Sequence, residues 1–175
     1  RGGGLFAFPF QIRDLAGTGV RVVNVNVGAA GDLDSITVQG RNTADNLRIT
    51  SPAAGLVDVL GFAYDIHANS VEATDRLTVN GNEGDDTIDA SSLGAGVVTL
   101  NLNGNNGNDT LLGSAGNDSL DGGAGDDVFV GNGGADNVGG GIGSSVGDTI
   151  LVAGTTGADT IIVSLNATGQ LLVTV

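Results

Sequence analysis

The sequence predicts an all-β fold, a right-handed parallel β-roll or β-solenoid, and three observations carry that expectation. Residues 104–139, GNNGNDTLLGSAGNDSLDGGAGDDVFVGNGGADNVG, repeat a nine-residue pattern four times, with Gly at the first and fourth places, Asp at the sixth and an aliphatic or aromatic residue at the eighth. Aliphatic and polar residues alternate in short runs such as Ile36-Thr37-Val38, Leu77-Thr78-Val79 and Val98-Thr99-Leu100-Asn101-Leu102, which turns one face of a short strand inward. The 175 residues include 32 Gly against 2 Pro, with no Gly-X-Y period that would make collagen.

A period of nine leaves about six residues of turn and three of strand, too short for a hairpin meander with its own core. Two such units make a coil of about eighteen residues, and stacked coils form parallel sheets whose strands lie about 4.8 Å apart. Gly and Asn in the turns permit positive φ.

In chain order, residues 1–19 form a linker and a Phe-rich segment. LFAFPF (5–10) puts Phe6, Phe8 and Phe10 on one face of an extended stretch, and Pro9 confines it to a sheet edge. It reads as a cap over the open end of the solenoid or as a docking strand. Residues 20–80 are expected to form irregular coils, 81–139 the regular roll, and 140–175 further irregular coils. The longer copies DSITVQGRNTADNL (34–47), DRLTVNGNEGDDTI (75–88) and DTILVAGTTGADTI (148–161) share one spacing. Each is followed by a Gly and a β-rich run, Gly55-LVDV, Gly96-VVTL and Gly169-QLLV, read here as equivalent. The last run ends the sequence in a strand pattern, so the chain is expected either to belong to a longer array or to assemble end to end.

The sixth-place Asp has a physical reason. Formal net charge is −14, with twenty acidic residues against six basic ones. Turns stacked as closely as strands bring carboxylates together, and a divalent cation removes the like-charge penalty. Calcium takes six to eight oxygen ligands from carboxylates and carbonyls, and Gly-rich turns present carbonyls freely, whereas magnesium wants a tighter octahedron. If neighbouring turns fall on opposite edges, Asp109 stacks on Asp127 and Asp118 on Asp136. An Asp-free turn at 94–96 then places Asp86 against Asp109, and the same walk carries Asp148 onto the first edge and Asp159 onto the second. Asp34, Asp45, Asp75, Asp148 and Asp159 serve equally well as local turn caps. The fifth-place residues Asp85, Asn108, Asn117 and Asp126 are expected to be solvated.

GNNGNDTLL, GSAGNDSLD, GGAGDDVFV, GNGGADNVG and the earlier GNEGDDTID resemble the haemolysin-type, or RTX, calcium-binding nonapeptide. The resemblance covers 81–139 closely and the rest loosely. It implies a parallel β-roll of secreted bacterial proteins with calcium held between successive turns of one edge. Transferred to this sequence, the ligand positions are Asp86, Asp109, Asp118, Asp127 and Asp136, and the fourth-place glycines Gly84, Gly107, Gly116 and Gly125 are expected to belong to the metal sites through their turns' carbonyls. GRNTADNLR (40–48) departs from the pattern by lacking the fourth-place Gly.

Other chemistry has little support. So acidic a chain cannot displace phosphate counterions, which argues against nucleic acid as a partner. Without Cys there is no disulfide or thiolate site, and without Lys no Walker loop. No apolar run is long enough to span a bilayer. His67 is the only His, and its sequence neighbours Asp65 and Ser70 do not make a triad, so no enzymatic activity is expected. The expected role is a calcium-binding structural module of a secreted bacterial surface, adhesive, matrix or filament protein. The alternative is the C-terminal secretion domain of an extracellular protease or lipase. An ice-binding solenoid is a third reading, disfavoured because the Thr residues form no long Thr-x-Thr ladder.

Overall fold

A computed structural model describes residues 10–12, 21–28, 33–141, 147–151, 162–165 and 171–174, with the single positions 15, 17, 19 and 31. Its strands are β1 (Phe10–Ile12), β2 (Val22–Asn26), β3 (Ser35–Gln39), β4 (Asn46–Thr50), β5 (Leu56–Leu60), β6 (Asp65–Asn69), β7 (Arg76–Glu83) and β8 (Thr87–Asp89). There follow β9 (Thr99–Asn106), β10 (Thr110–Leu112), β11 (Asp118–Ala124), β12 (Val128–Val130), β13 (Asn137–Gly139), β14 (Thr149–Leu151), β15 (Ile162–Leu165) and β16 (Leu171–Thr174). Among the described residues there is no helix, and so none long and apolar enough to cross a membrane.

The strands form two sheets of eight, ordered β1-β3-β7-β9-β11-β13-β16-β15 and β14-β12-β10-β8-β4-β5-β6-β2. From β7 to β14 the chain alternates between the sheets, and every pairing among these strands is parallel. That is the β-roll expected from the nonapeptide period. Its interior is set by register. Val38, Val79, Leu102, Leu120 and Val138 form one column. Leu47, Ile88, Leu111, Phe129 and Ile150 form the facing one. All but Ile150 are buried, as the period-2 alternation requires.

Two regions depart from the roll. β4, β5 and β6 run antiparallel as a meander, with β2 parallel to β6. β16 runs antiparallel to both β13 and β15. The equivalence expected of Gly55-LVDV, Gly96-VVTL and Gly169-QLLV is therefore corrected. Leu56–Leu60 is an antiparallel strand of one sheet, Thr99–Asn106 a parallel strand of the other, and Leu171–Thr174 an antiparallel strand on the last coil. Connector length explains it. Residues 51–55 turn tightly, with Leu56 N–H donating to the Ala53 carbonyl and Gly55 at φ 72°. So short a link joins antiparallel neighbours and cannot cross over to a parallel one.

β1 occupies the end of its sheet against β3, the edge position expected of the segment that Pro9 opens. The other Phe residues of that segment, Phe6 and Phe8, lie outside the described residues.

Candidate metal centre

The turns stack into edges, and backbone hydrogen bonds to the Asp carboxylates define them. On the first edge Asp45 N–H donates to Asp86 Oδ1 (2.7 Å), Asp86 N–H to Asp109 Oδ1 (2.7 Å), Asp109 N–H to Asp127 Oδ1 (2.8 Å) and Asp127 N–H to Asp148 Oδ1 (3.0 Å). On the second, Asp118 N–H donates to Asp136 Oδ1 (3.0 Å). Asp34 N–H donates likewise to Asp75 Oδ1 (3.0 Å). These are the partners expected for Asp86, Asp109, Asp118, Asp127, Asp136 and Asp148. Asp45, which read equally well as a local cap, is also a rung. Asp159 lies outside the described residues.

Asp86, Asp109, Asp118, Asp127 and Asp136 are buried, while Asp148, on the last described turn of this edge, is exposed. Burial pushes the carboxyls of Asp86, Asp127 and Asp136 up to about 6, partly opposed by the backbone hydrogen bonds they accept and reinforced by neighbouring carboxylates. Asp109 and Asp118 are raised for the same leading reason, and in Asp118 the hydrogen bonds from Ser114 oppose the shift.

The second oxygen of each carboxylate divides the rungs. Oδ2 of Asp86, Asp109 and Asp127 is buried and accepts no hydrogen bond, which is costly for an ionised group unless a cation faces it. Each of these oxygens lies against the first-place glycine of its own turn. A Cβ on Gly81 would clash with Asp86 Oδ2 and sit 2.7 Å from the Gly104 carbonyl oxygen. A Cβ on Gly104 would clash with Asp109 Oδ2 and sit 2.7 Å from the Gly122 carbonyl oxygen. Carboxylate and carbonyl oxygens of successive coils thus face a shared space that only glycine leaves open. Positive φ at Gly84 (112°), Gly107 (137°) and Gly125 (141°) shapes these turns. Gly116 is not among the positive-φ glycines; its N–H donates to Ser114 Oγ (3.0 Å).

Among the described residues no three His, Cys, Asp or Glu side chains gather as a metal-binding group. An ion on this edge would take few carboxylates and draw its other ligands from carbonyls, a donor set that suits calcium. The residues present fit that ion.

The fifth-place side chains do more than face solvent. Asn108 N–H donates to Asp85 Oδ1 (2.9 Å), Asp126 N–H to Asn108 Oδ1 (2.9 Å) and Ala135 N–H to Asn117 Oδ1 (2.8 Å). Asp85, Asn108 and Asn117 are exposed and Asp126 half-buried, as expected of solvated turn residues, and they also brace successive coils on the outside of the turns. Sequence reasoning also missed Arg41 and Ser114, which bind Asp45 and Asp118 from the second place of their turns. The available signal was that this place holds Asn or Gly in the other turns. His67 pairs across the meander with Asp58 (Nδ1 to Oδ1, 2.7 Å).

Residues 78–92 and 103–144 match the family model of the RTX calcium-binding nonapeptide repeat, in four copies. No curated protein matches the chain, and no solved structure does. The matched residues carry RTX calcium-binding nonapeptide repeats, and calcium is the ion that such repeats bind.

Proposed function

We propose that this chain is a calcium-dependent structural module of a secreted bacterial surface, adhesive or matrix protein, whose narrow coils fold when calcium enters their turns. The observation that carries the reading is the row of buried, unpartnered Oδ2 atoms on Asp86, Asp109 and Asp127 inside the matched repeats. Asp86, Asp109 and Asp127 would hold the ions, with carbonyls of the glycine turns completing the ligand set. Calcium supplies positive charge where burial otherwise disfavours ionised carboxylates, so its binding free energy becomes folding free energy. The same linkage suits export, because a chain kept unfolded at low cytosolic calcium folds on reaching extracellular calcium.

Circular dichroism in excess chelator, followed by millimolar calcium, tests the reading. A β spectrum and a higher melting temperature that return with calcium are expected. An identical spectrum and melting temperature in both conditions would contradict it.

A further inference from the structure

The second place of each turn separates two kinds. In the turns that open at Gly81, Gly104, Gly122, Gly131 and Gly140, the second-place residue takes positive φ: Asn82 (82°), Asn105 (79°), Gly123 (99°), Asn132 (70°) and Gly141 (78°). Arg41 and Ser114, second in the turns opening at Gly40 and Gly113, do not. Asn and Gly tolerate the left-handed region, whereas Arg and Ser enter it at a cost.

The consequence is a backbone N–H aimed at the turn's own carboxylate. Arg41 N–H donates to Asp45 Oδ2 (2.6 Å) and its Nε to Asp45 Oδ1 (2.6 Å), so both oxygens have donors and the charge has a cation. Ser114 N–H donates to Asp118 Oδ2 (2.5 Å), and Ser114 Oγ lies 2.9 Å from both carboxylate oxygens. The first-place carbonyls of these two turns are taken as well. Asn82 Nδ2 donates to the Gly40 carbonyl (2.6 Å) and Asn132 Nδ2 to the Gly113 carbonyl (2.7 Å). The Oδ2 atoms that stand free on Asp86, Asp109 and Asp127 thus have counterparts on Asp45 and Asp118 that are occupied from within the protein. Asp118 matches the repeat in sequence, but its carboxylate does not fit an ion.

We infer that, among the described turns, calcium loads only those of the first edge, from the 81–86 turn onward, and that Arg41 and Ser114 close the 40–45 and 113–118 turns as built-in stand-ins for the ion. This rests on the reading that the Asp ladder binds calcium. Among the described turns of the second edge the open 131–136 turn then faces a closed neighbour, so no pair of open described turns brackets an ion there.

Calorimetric titration of the full chain with calcium tests the assignment by counting ions. Asp109→Asn is expected to lower the number bound, while Asp118→Asn and Asp45→Asn titrate with the wild-type number. Ser114→Gly, which lets the second place take positive φ, is expected to gain at least one ion. Asp118→Asn or Asp45→Asn losing as many ions as Asp109→Asn would overturn the inference, and so would Ser114→Gly gaining none. The two Asn variants probe opposite edges, so either one, if folded, decides. A wild-type chain that takes up no calcium would instead sink the functional reading beneath it.

Discussion

Residues 33–80 and residues 104–139 fill the space between the same two sheets with different chemistry. The first region buries twelve apolar side chains. The second buries four, Leu111, Leu120, Phe129 and Val138, beside four carboxylates, Asp109, Asp118, Asp127 and Asp136. One column shows the exchange directly: Ile36, Leu77 and Leu100 stand in register with Asp118. The change follows coil length. Successive rungs are 41 residues apart from Asp45 to Asp86, 23 to Asp109 and 18 to Asp127. A wide coil brings several inward apolar positions per strand, whereas an eighteen-residue coil brings one. The wide region also buries Asp45 and Asp75, but where the apolar interior thins the buried carboxylates equal the apolar side chains in number, and on the proposed reading a cation takes over the cohesion that apolar side chains supply elsewhere.

If that contrast holds, the few apolar residues of the narrow coils are hard to replace. Phe129, fully buried, is the largest of them. In saturating calcium, Phe129→Ala is expected to lose about 3–5 kcal/mol in denaturant unfolding. A loss below about 1 kcal/mol would mean that the narrow coils do not depend on their single apolar layer.

The glycine turns come next. Gly104→Ala drives a Cβ into Asp109 Oδ2 and the Gly122 carbonyl, whereas a Cβ on Gly94 meets only Val97 Cγ2 at 3.9 Å. We expect the first to lose about 3 kcal/mol and the second to stay within about 0.5 kcal/mol of wild type. Equal effects would detach the glycine column from the ion turns.

A smaller effect separates the sixth place from the fifth. Asp127→Ala is expected to weaken calcium binding at least about tenfold, and Asp126→Ala much less, since the fifth-place carboxylate only braces the neighbouring coil. Equal affinity in the two variants would place the ligand register elsewhere.

The smallest effect concerns pH without metal. Asp86, Asp127 and Asp136 have folded-state values raised to about 6 from 3.8. Groups shifted in this direction stabilise the fold fully below the lower value and lose that contribution as pH rises through the higher one. In chelator, the melting temperature should therefore fall as pH rises from about 4 to about 6. A melting temperature that climbs over that interval would contradict the burial of these carboxyls.

The roll was legible because its period is written in the residues. Asp109, Asp118, Asp127 and Asp136 sit at fixed offsets, and the Asp-free turn at 94–96 correctly set Asp86 beside Asp109. The meander at 46–69 was not, because Gly55-LVDV has the local pattern of a roll strand. Which sheet such a strand joins depends on how far its connector reaches. The state of each carboxylate was hidden for another reason: Asp118 and Asp127 share a motif, and only the second-place residue, Ser114 or Gly123, decides whether the turn points a backbone donor at its own Asp.

Hydrogen exchange resolved along the chain, in chelator and in calcium, tests most directly whether calcium replaces an apolar core in the narrow coils. Amides of β3 to β7 up to Val79 are expected to stay protected in chelator, while those from Asn105 to Gly139 exchange freely and regain protection when calcium is added. Equal protection of both regions in chelator, or their joint collapse, would contradict this.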